Sequence, residues 1–266
     1  MADSLSTALA ALQRRFGPHA VHRGERQERA GAWPAGLPLL DGVLTPGGLP
    51  RGRVTVLAAG SPRGPSGRLT LVQWLTAQAT HDQDTAYVDV AGTLDPGFLA
   101  DLGADLDVCL VVTPGERRWE RGFAMARTLV RAGLPWVALA LGGGASPPTV
   151  RWDRSLAALA EAVSARGAVA VIAAPAPLPA PIAHVSSLTL SCASPSWHRA
   201  HGDVAGLRVR LTVTKNKLGA PGAEATLLLR YPRPYVTAEV LGLPSVVPHA
   251  AESHPGVALQ AAGAQA

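Results

Sequence analysis

The sequence is poor in charge, in aromatic residues and in cysteine. Of its 266 residues, 16% are charged and 5% are aromatic, while 47% are hydrophobic. This balance excludes an intrinsically disordered chain, and the length allows a sizeable core. No hydrophobic run reaches the roughly 18 residues that a membrane span needs. Because Asp3 precedes the first arginines, the reverse of a secretory signal, we expect a cytoplasmic protein.

Cysteine and histidine show no pattern typical of a metal site. The two cysteines, Cys109 and Cys192, stand far apart, and the eight histidines lack ligand spacing. We expect both thiols to be reduced core residues, and we predict no metal ligands. The net charge of +5, from 24 basic and 19 acidic residues, permits a nucleic acid or an acidic partner without selecting either.

The stretch from Val54 to Trp74 has the pattern of a strand, a tight loop and a helix. A hydrophobic run ends at Ala59, a loop rich in Gly, Pro and Ser follows, and a periodic segment starts at once. This arrangement places backbone amides at a helix N-terminus, where they can bind phosphate. The candidate nucleotide-loop residues are Gly60, Ser66, Gly67, Arg68 and Thr70.

The loop departs from the phosphate-binding motif G-x-x-x-x-G-K-[ST]. Pro62 stands where the first glycine belongs, and Gly60 is seven residues before Gly67, so the loop is two residues too long. Arg68 replaces the lysine, and Leu69 replaces the Mg²⁺-binding hydroxyl. Arg68 could still contact a phosphate. The alternative, which we favour, is that it is a solvated residue in the first helical turn.

Strand and helix patterns alternate along the chain, which predicts an α/β fold with a mostly parallel central sheet flanked by helices. Strand-like runs occupy 85–90, 108–112, 135–141 and 168–174, with helical stretches at 68–80, 95–103, 117–132 and 153–166. Shorter strands at 184–192, 206–214 and 223–230 predict an antiparallel extension of that sheet. We predict a short N-terminal helix and basic linker at 1–32, a core at 33–242 and a disordered tail at 243–266.

Four segments resemble bacterial RecA recombinases, in the same order along the chain. They are LQRRFGPHAVHRGE from Leu12, LDGVLTPGGLPRGRV from Leu40, YVDVAGTLDPGFLADLGADLD from Tyr87 and VTKNKLGAPGAEATLLLRY from Val213. The resemblance extends over roughly residues 5–235. It implies a RecA-like P-loop core.

The resemblance also implies where the groups for ATP hydrolysis should stand, and they are absent. The loop hydroxyl position is Leu69, and the position of the water-activating glutamate is Ala91. The position of the aspartate in the metal's shell is Leu141 or Gly142. Because these groups handle Mg²⁺ and water in the reaction, we expect a pseudo-ATPase that has no catalytic residues and needs no cofactor. Residual ATP binding stays open.

The DNA-binding loops of the family also lack counterparts here. The resemblance places one at 142–152, where Arg151 is the only Lys or Arg. It places the other at 175–183, a proline-alternating segment that we expect to be extended and stiff. From Gly167 to Trp197 there is no Lys, Arg, Asp or Glu, so this stretch cannot neutralise phosphates. Filament-type DNA binding through these loops is not expected.

Cations interleaved with aromatic residues occur elsewhere. The candidate DNA contacts are Arg117, Arg121, Arg230 and Arg233, which stand near Trp119, Tyr231 and Tyr235. The alternative is a solvated helix face that carries the first two arginines, and a packed tail strand for the other two. The segment 197–199, Trp-His-Arg, is predicted to form a turn with a buried Trp.

Two lysines stand near the start of the last resembling segment. Lys215 and Lys217 stand in the sequence T-K-N-K. The resemblance implies that they extend across a protomer interface toward the ATP bound by a neighbour. The alternative is a pair of exposed lysines at a strand end.

Together these features predict a non-catalytic accessory protein, similar to ImuA proteins, in DNA repair, recombination or damage-induced (SOS) translesion mutagenesis. The expected partners are RecA or a RecA-like protomer and components of an error-prone polymerase, with at most weak contact to DNA and none to a membrane. One alternative is a weak ATP-binding recombinase with a rearranged P-loop. Another is a regulator of RecA filaments that does not touch DNA.

Overall fold

The computed structural model describes residues 7–8, 10–12, 14–15, 31–115, 117–142, 151–230 and 239–243. The strands are β1 (Ala32–Trp33), β2 (Leu49–Pro50), β3 (Arg53–Ala59), β4 (Thr85–Asp89), β5 (Cys109–Val112), β6 (Trp136–Ala140), β7 (Val169–Ala174), β8 (Leu188–Ala200), β9 (Asp203–Asn216), β10 (Glu224–Arg230) and β11 (Glu239–Leu243). The labelled helices are α1 (Pro38–Val43), α2 (Arg68–Thr80), α3 (Pro96–Asp101), α4 (Trp119–Ala132), α5 (Asp153–Arg166) and α6 (Ala180–Val185), with a 3₁₀ turn at Leu106–Val108.

Nine of these strands form one sheet in the order β11-β10-β9-β8-β3-β7-β6-β4-β5. The six strands from β8 to β5 in that order are parallel to one another. The remaining pairs, β8 with β9, β9 with β10 and β10 with β11, are antiparallel. The structure therefore confirms a mostly parallel central sheet with an antiparallel extension.

Both faces of the parallel part are covered, which explains why its central strands are hydrophobic without alternation. Every residue of β6 and of β7 is buried. One face packs against α1 and α2 around Leu57, Tyr87 and Trp136. The other packs against α4 and α5 around Phe123 and Leu156. Cys109 lies in the first core, as does Cys192, and both are free thiols, which agrees with their prediction as core residues.

The segment 175–183 was predicted to be extended throughout. It is not, because α6 begins at Ala180. Pro179 precedes that helix and Pro181 lies in its first turn. Proline is tolerated there, since the first turn's amides have no intrahelical partner to lose. The next strand accordingly starts at Leu188 rather than at residue 184.

The ends of the chain are described only in part. Residues 7–8, 10–12 and 14–15 of the predicted N-terminal segment are helical and exposed. The rest of that segment, the basic linker and residues 244–266 lie outside the described residues. Leu243, predicted to open the tail, is the last residue of β11. In the part of the chain that the structure describes, no helix has the length and hydrophobicity needed to cross a membrane.

Candidate functional site

The predicted nucleotide loop, residues 60–67, lies at the carboxyl end of the parallel strands. It leaves β3, which lies between β7 and β8 in the sheet, and leads directly into α2. In open α/β sheets, ligands bind in the crevice outside the carboxyl ends of the strands. The loop is therefore placed where a ligand site would be expected.

The two outer glycines of the loop are required by close packing. Gly67 has a φ of +67°, and a Cβ there would lie 2.6 Å from Val209 Cγ2 and 2.8 Å from Leu229 Cδ1. A Cβ on Gly60 would lie 3.1 Å from the Cβ of Ala193. The loop thus packs against side chains of β9 and β10, on the core side of the antiparallel extension, and glycine is the residue that fits.

Arg68 is buried, so the prediction of a solvated first-turn residue is wrong. Only 8% of it is exposed. Its Nη1 donates to Ser66 Oγ at 3.1 Å, and its Nη2 donates to the carbonyl oxygen of Gly142 at 3.3 Å. Its Nε has no partner among the described residues. The side chain therefore turns back over its own loop toward the end of β6.

The surroundings of Arg68 supply no compensating thiolate or phenolate near neutral pH. Burial lowers the pKa of the Arg68 guanidinium, and its interactions with Cys192 and Tyr87 oppose that change only in part. Burial raises the pKa of the Cys192 thiol to about 12. Burial also raises the pKa of the Tyr87 hydroxyl well above its usual range. Both neighbours are therefore neutral at physiological pH, and hydroxyl and carbonyl oxygens hold the arginine.

Two positions that the resemblance assigned to catalytic carboxylates lie side by side and are apolar. A Cβ on Gly142 would lie 3.6 Å from the Cα of Ala91. Leu141 is fully buried in the core under α4 and α5, so it does not face the loop. The nearby carboxylate of Asp89 is 5% exposed, and its Oδ2 accepts from the Leu94 amide at 2.8 Å. Among the described residues, no three His, Cys, Asp or Glu side chains are grouped as metal ligands.

A cleft of about 340 Å³ lies beside the loop, between α2 and the start of α3. The residues that line it are Leu69, Thr70, Gln73, Thr93, Asp95 and Phe98. Of the predicted loop residues, only Thr70 contributes to it; Arg68 points elsewhere. The sequence contained one signal for the α3 side of this cleft, because Asp95 followed by Pro96 is typical of a helix start. In the structure the Asp95 carboxylate caps α3 and accepts from the Gly97 amide at 2.8 Å.

The two lysines of the T-K-N-K segment differ in their environments. Lys215 Nζ donates to the carbonyl oxygens of Ala183 and His184 and to Ser186 Oγ, at the C-terminal end of α6. A cation is favourable there because the last carbonyls of a helix carry partial negative charge. Burial, and to a lesser extent the charge of Lys217, lowers the pKa of Lys215. Lys217 is exposed.

The predicted arginine pair before and on α4 does not share a helix face. The helix begins at Trp119, and Arg117 precedes it with a φ of 58°. Arg121 lies on the helix and is exposed, as is Arg117. Trp119 is 5% exposed and packs edge-on against Trp152 at 5.1 Å between ring centroids, so it is a core residue and not a surface for stacking bases.

Sequence reasoning missed Arg208 and Arg210, which lie beside the predicted Arg230 on the outer face of the antiparallel extension. Arg208 and Arg210 alternate along β9 with the buried residues of the core, and both are exposed. Arg230 on β10 is also exposed, and it pairs with Gly206, so it lies on the same face, diagonal to Arg208. We call these three residues the arginine face. The period-2 alternation around Arg208 was the signal that could have identified it.

The arginine face also has an acidic neighbour. Glu224 lies at its far end, where its Oε1 accepts from Thr212 Oγ1 at 2.8 Å. Of the other predicted contacts, Arg233, Tyr231 and Tyr235 lie outside the described residues. Trp197 is 50% exposed within β8, so the prediction of a turn with a buried Trp is wrong.

Comparison with known proteins identifies relatives for the first half of the chain. Residues 3–139 match the model of the RecA N-terminal domain. The chain is 38% identical over 133 residues to Protein RecA of Clavibacter michiganensis subsp. michiganensis, a match that covers 49% of this chain and 35% of that protein. It is 38% identical over 132 residues to Protein RecA of Streptomyces avermitilis, a match that covers 49% of this chain and 34% of that protein. It is 34% identical over 130 residues to Protein RecA of Ruminococcus albus, covering 47% and 32%. The chain thus spans about a third of the length of these relatives.

Proposed function

We propose that this chain, which belongs to the RecA N-terminal domain family, acts in DNA repair or recombination as a cytoplasmic accessory protein that does not turn over ATP. More narrowly, we propose a role in damage-induced (SOS) translesion mutagenesis, like that of ImuA proteins. The observation that supports a non-catalytic role best is the burial of Arg68 against Ser66 and Gly142.

The chemistry of ATP hydrolysis supports this proposal. Phosphoryl transfer needs a hydroxyl and a carboxylate that hold Mg²⁺, and a group that orients the attacking water. The hydroxyl position is Leu69, the metal-binding carboxylate position is Leu141 or Gly142, and the position of the water-orienting group is Ala91. None of these side chains can bind a metal ion or accept a proton from water. Gly67 is accounted for by packing against β9 and β10, and Gly60 by packing against β8, without a ligand.

The proposed partners are RecA or a RecA-like protomer and components of an error-prone polymerase. Lys217 is exposed and free to approach a neighbour's phosphates, whereas Lys215 would first have to leave the end of α6. A lysine that reaches a desolvated phosphate makes a charge-assisted hydrogen bond worth about 1.5–3 kcal/mol. The pair would thus favour a partner that carries ATP, although this chain cannot use its own.

We further propose that DNA contact, where it occurs, is weak and falls mainly on the arginine face. Exposed arginines on a sheet face can contact phosphates without reading base sequence. Glu224 reduces the net charge there, which agrees with a weak contact. Arg121 on α4 is a further exposed cation, outside the arginine face, that is available to DNA.

A weak nucleotide-binding protein with a rearranged loop is the second candidate function. The cleft lined by Thr70, Asp95 and Phe98 favours it, because a volume of about 340 Å³ is in the range of small-molecule sites. Asp89 adds a buried Oδ1 atom that has no hydrogen-bond partner among the described residues. A third candidate is a regulator of RecA filaments that does not touch DNA. It has the same proposed partner, but in it the arginine face makes no contact with DNA.

The deciding experiment is phosphate release from ATP with Mg²⁺ and single-stranded DNA, using the full chain. We expect no turnover above a protein-free control. Turnover that disappears in Arg68→Ala would refute the non-catalytic role and establish the second candidate. A pull-down from DNA-damaged cells, scored for RecA and for an error-prone polymerase, then tests the partners; recovery of neither would contradict the accessory role.

A further inference from the structure

The Arg68 side chain joins two parts of the sheet that are not neighbours. The nucleotide loop follows β3, whereas Gly142 follows β6, and β7 lies between these two strands. The guanidinium bonds to Ser66 on the loop and to Gly142, a residue 74 positions away, so it bridges the crevice above the end of β7.

We infer that Arg68 is an internal latch that closes the nucleotide loop onto the end of β6, in the place where a ligand would otherwise order the loop. The latch is made entirely by groups of this chain, so it needs no nucleotide to form. The inference concerns the same loop as the proposed function but does not depend on a role in DNA repair.

Burial explains why the latch is selective for arginine. A charged side chain is stable out of water only when its donors are hydrogen-bonded. The planar guanidinium presents several donors in a fixed fork, so it can reach the Ser66 hydroxyl and the Gly142 carbonyl at once. A lysine has a single nitrogen on a flexible stem and cannot span two acceptors on opposite sides of the crevice in the same way.

The latch also determines what the loop can do with an anion. Both terminal nitrogens of Arg68 already hydrogen-bond and its Nε is buried, so an incoming phosphate must compete with Ser66 and Gly142 for the guanidinium. Gly67, which caps the start of α2, has no side chain to bond to the first-turn amides. The latch would thus order the loop through Arg68 without requiring an anion at the helix N-terminus.

Hydrogen–deuterium exchange of the full chain tests the latch. Amides of residues 60–72 should exchange about tenfold faster or more in Arg68→Lys and Arg68→Ala, as expected when a charge-assisted hydrogen bond is lost. Ser66→Ala, which removes one acceptor and keeps the guanidinium, should give a smaller increase. The matched control is Arg63→Ala, an exposed arginine in the same loop, which should leave exchange unchanged.

Inorganic tripolyphosphate provides a second measurement that needs only the unaltered protein. Because the latch already orders the loop, millimolar tripolyphosphate should leave its exchange unchanged. Protection that rises with tripolyphosphate and is lost in Arg68→Ala would overturn the inference and make Arg68 a phosphate ligand. Loop exchange in the Arg68 variants equal to that of the unaltered protein would overturn it as well. Phosphate release from ATP tests the proposed function, whereas hydrogen exchange tests the latch, so one can be refuted while the other stands.

Discussion

Replacing Gly67 by alanine should destabilise the protein by about 2–5 kcal/mol, through two separable effects. The φ of +67° lies in the left-handed region, which costs a residue with a Cβ about 1–2 kcal/mol. The new methyl group would also lie 2.6 Å from Val209 Cγ2 and 2.8 Å from Leu229 Cδ1, both on buried side chains. Overpacking of this kind costs about 1–3 kcal/mol. Urea unfolding followed by circular dichroism measures the sum.

Gly64→Ala is the matched control, because it changes the same loop and leaves out the steric effect. Gly64 has a φ of +93°, and nothing lies within 4 Å of a Cβ placed there. Its substitution should cost only the backbone term, about 1–2 kcal/mol. The difference between the two variants therefore isolates the contact of the loop with β9 and β10. Equal losses in the two variants would refute the packing argument.

Three further results are expected. Burial raises the pKa of Cys192 from 9.0 to about 12, so the folded protein keeps a proton that the unfolded chain releases, and stability should fall as pH rises from about 9 to about 12. Cys192 should contribute up to about 1.4 kcal/mol per pH unit to this fall in the free energy of unfolding. Urea unfolding of Cys192→Ala should lack that contribution, and the same pH dependence in the variant would contradict the prediction. DNA affinity should fall steeply between ~50 and ~200 mM salt and fall further in Arg210→Glu, with Arg154→Glu on α5 as the control; equal losses in both variants would count against the arginine face. Lys215→Ala/Lys217→Ala should bind RecA at least about tenfold more weakly in the presence of an ATP analogue, and unchanged binding would leave the lysines as surface charge.

Local pattern was sufficient to predict most of the fold. The uninterrupted hydrophobic run of β6 and the alternation of strands with helices predicted a parallel sheet covered on both faces, and the structure confirms it. The main local error was at α6, where alternating proline suggested an extended chain. Proline restrains φ to a value that suits the first turn of a helix as well as an extended segment, so the pattern could not distinguish the two.

The environment of a single side chain was harder to predict, because long-range contacts decide it. Trp197 was expected to be buried at a turn, yet it lies within β8, which leaves it half exposed. Lys215 was expected to reach outward, yet the C-terminal end of α6, about 30 residues earlier in the chain, provides acceptors for it. In both cases the residue type alone did not reveal the environment, because the neighbours that decide it were not visible in the sequence.

The sequence alone shows that the residues after Gly67 are Arg68 and Leu69 rather than the Lys and Ser or Thr of G-x-x-x-x-G-K-[ST], and the loss of the phosphate site is predicted from them. It also determined the order of the elements, because hydrophobic periodicity is a local property. The direction of the Arg68 side chain was decided only by tertiary structure. Its acceptor at Gly142 is brought close by the order of β3, β7 and β6 in the sheet, and burial then favours the conformation in which the guanidinium bonds on both sides of the crevice.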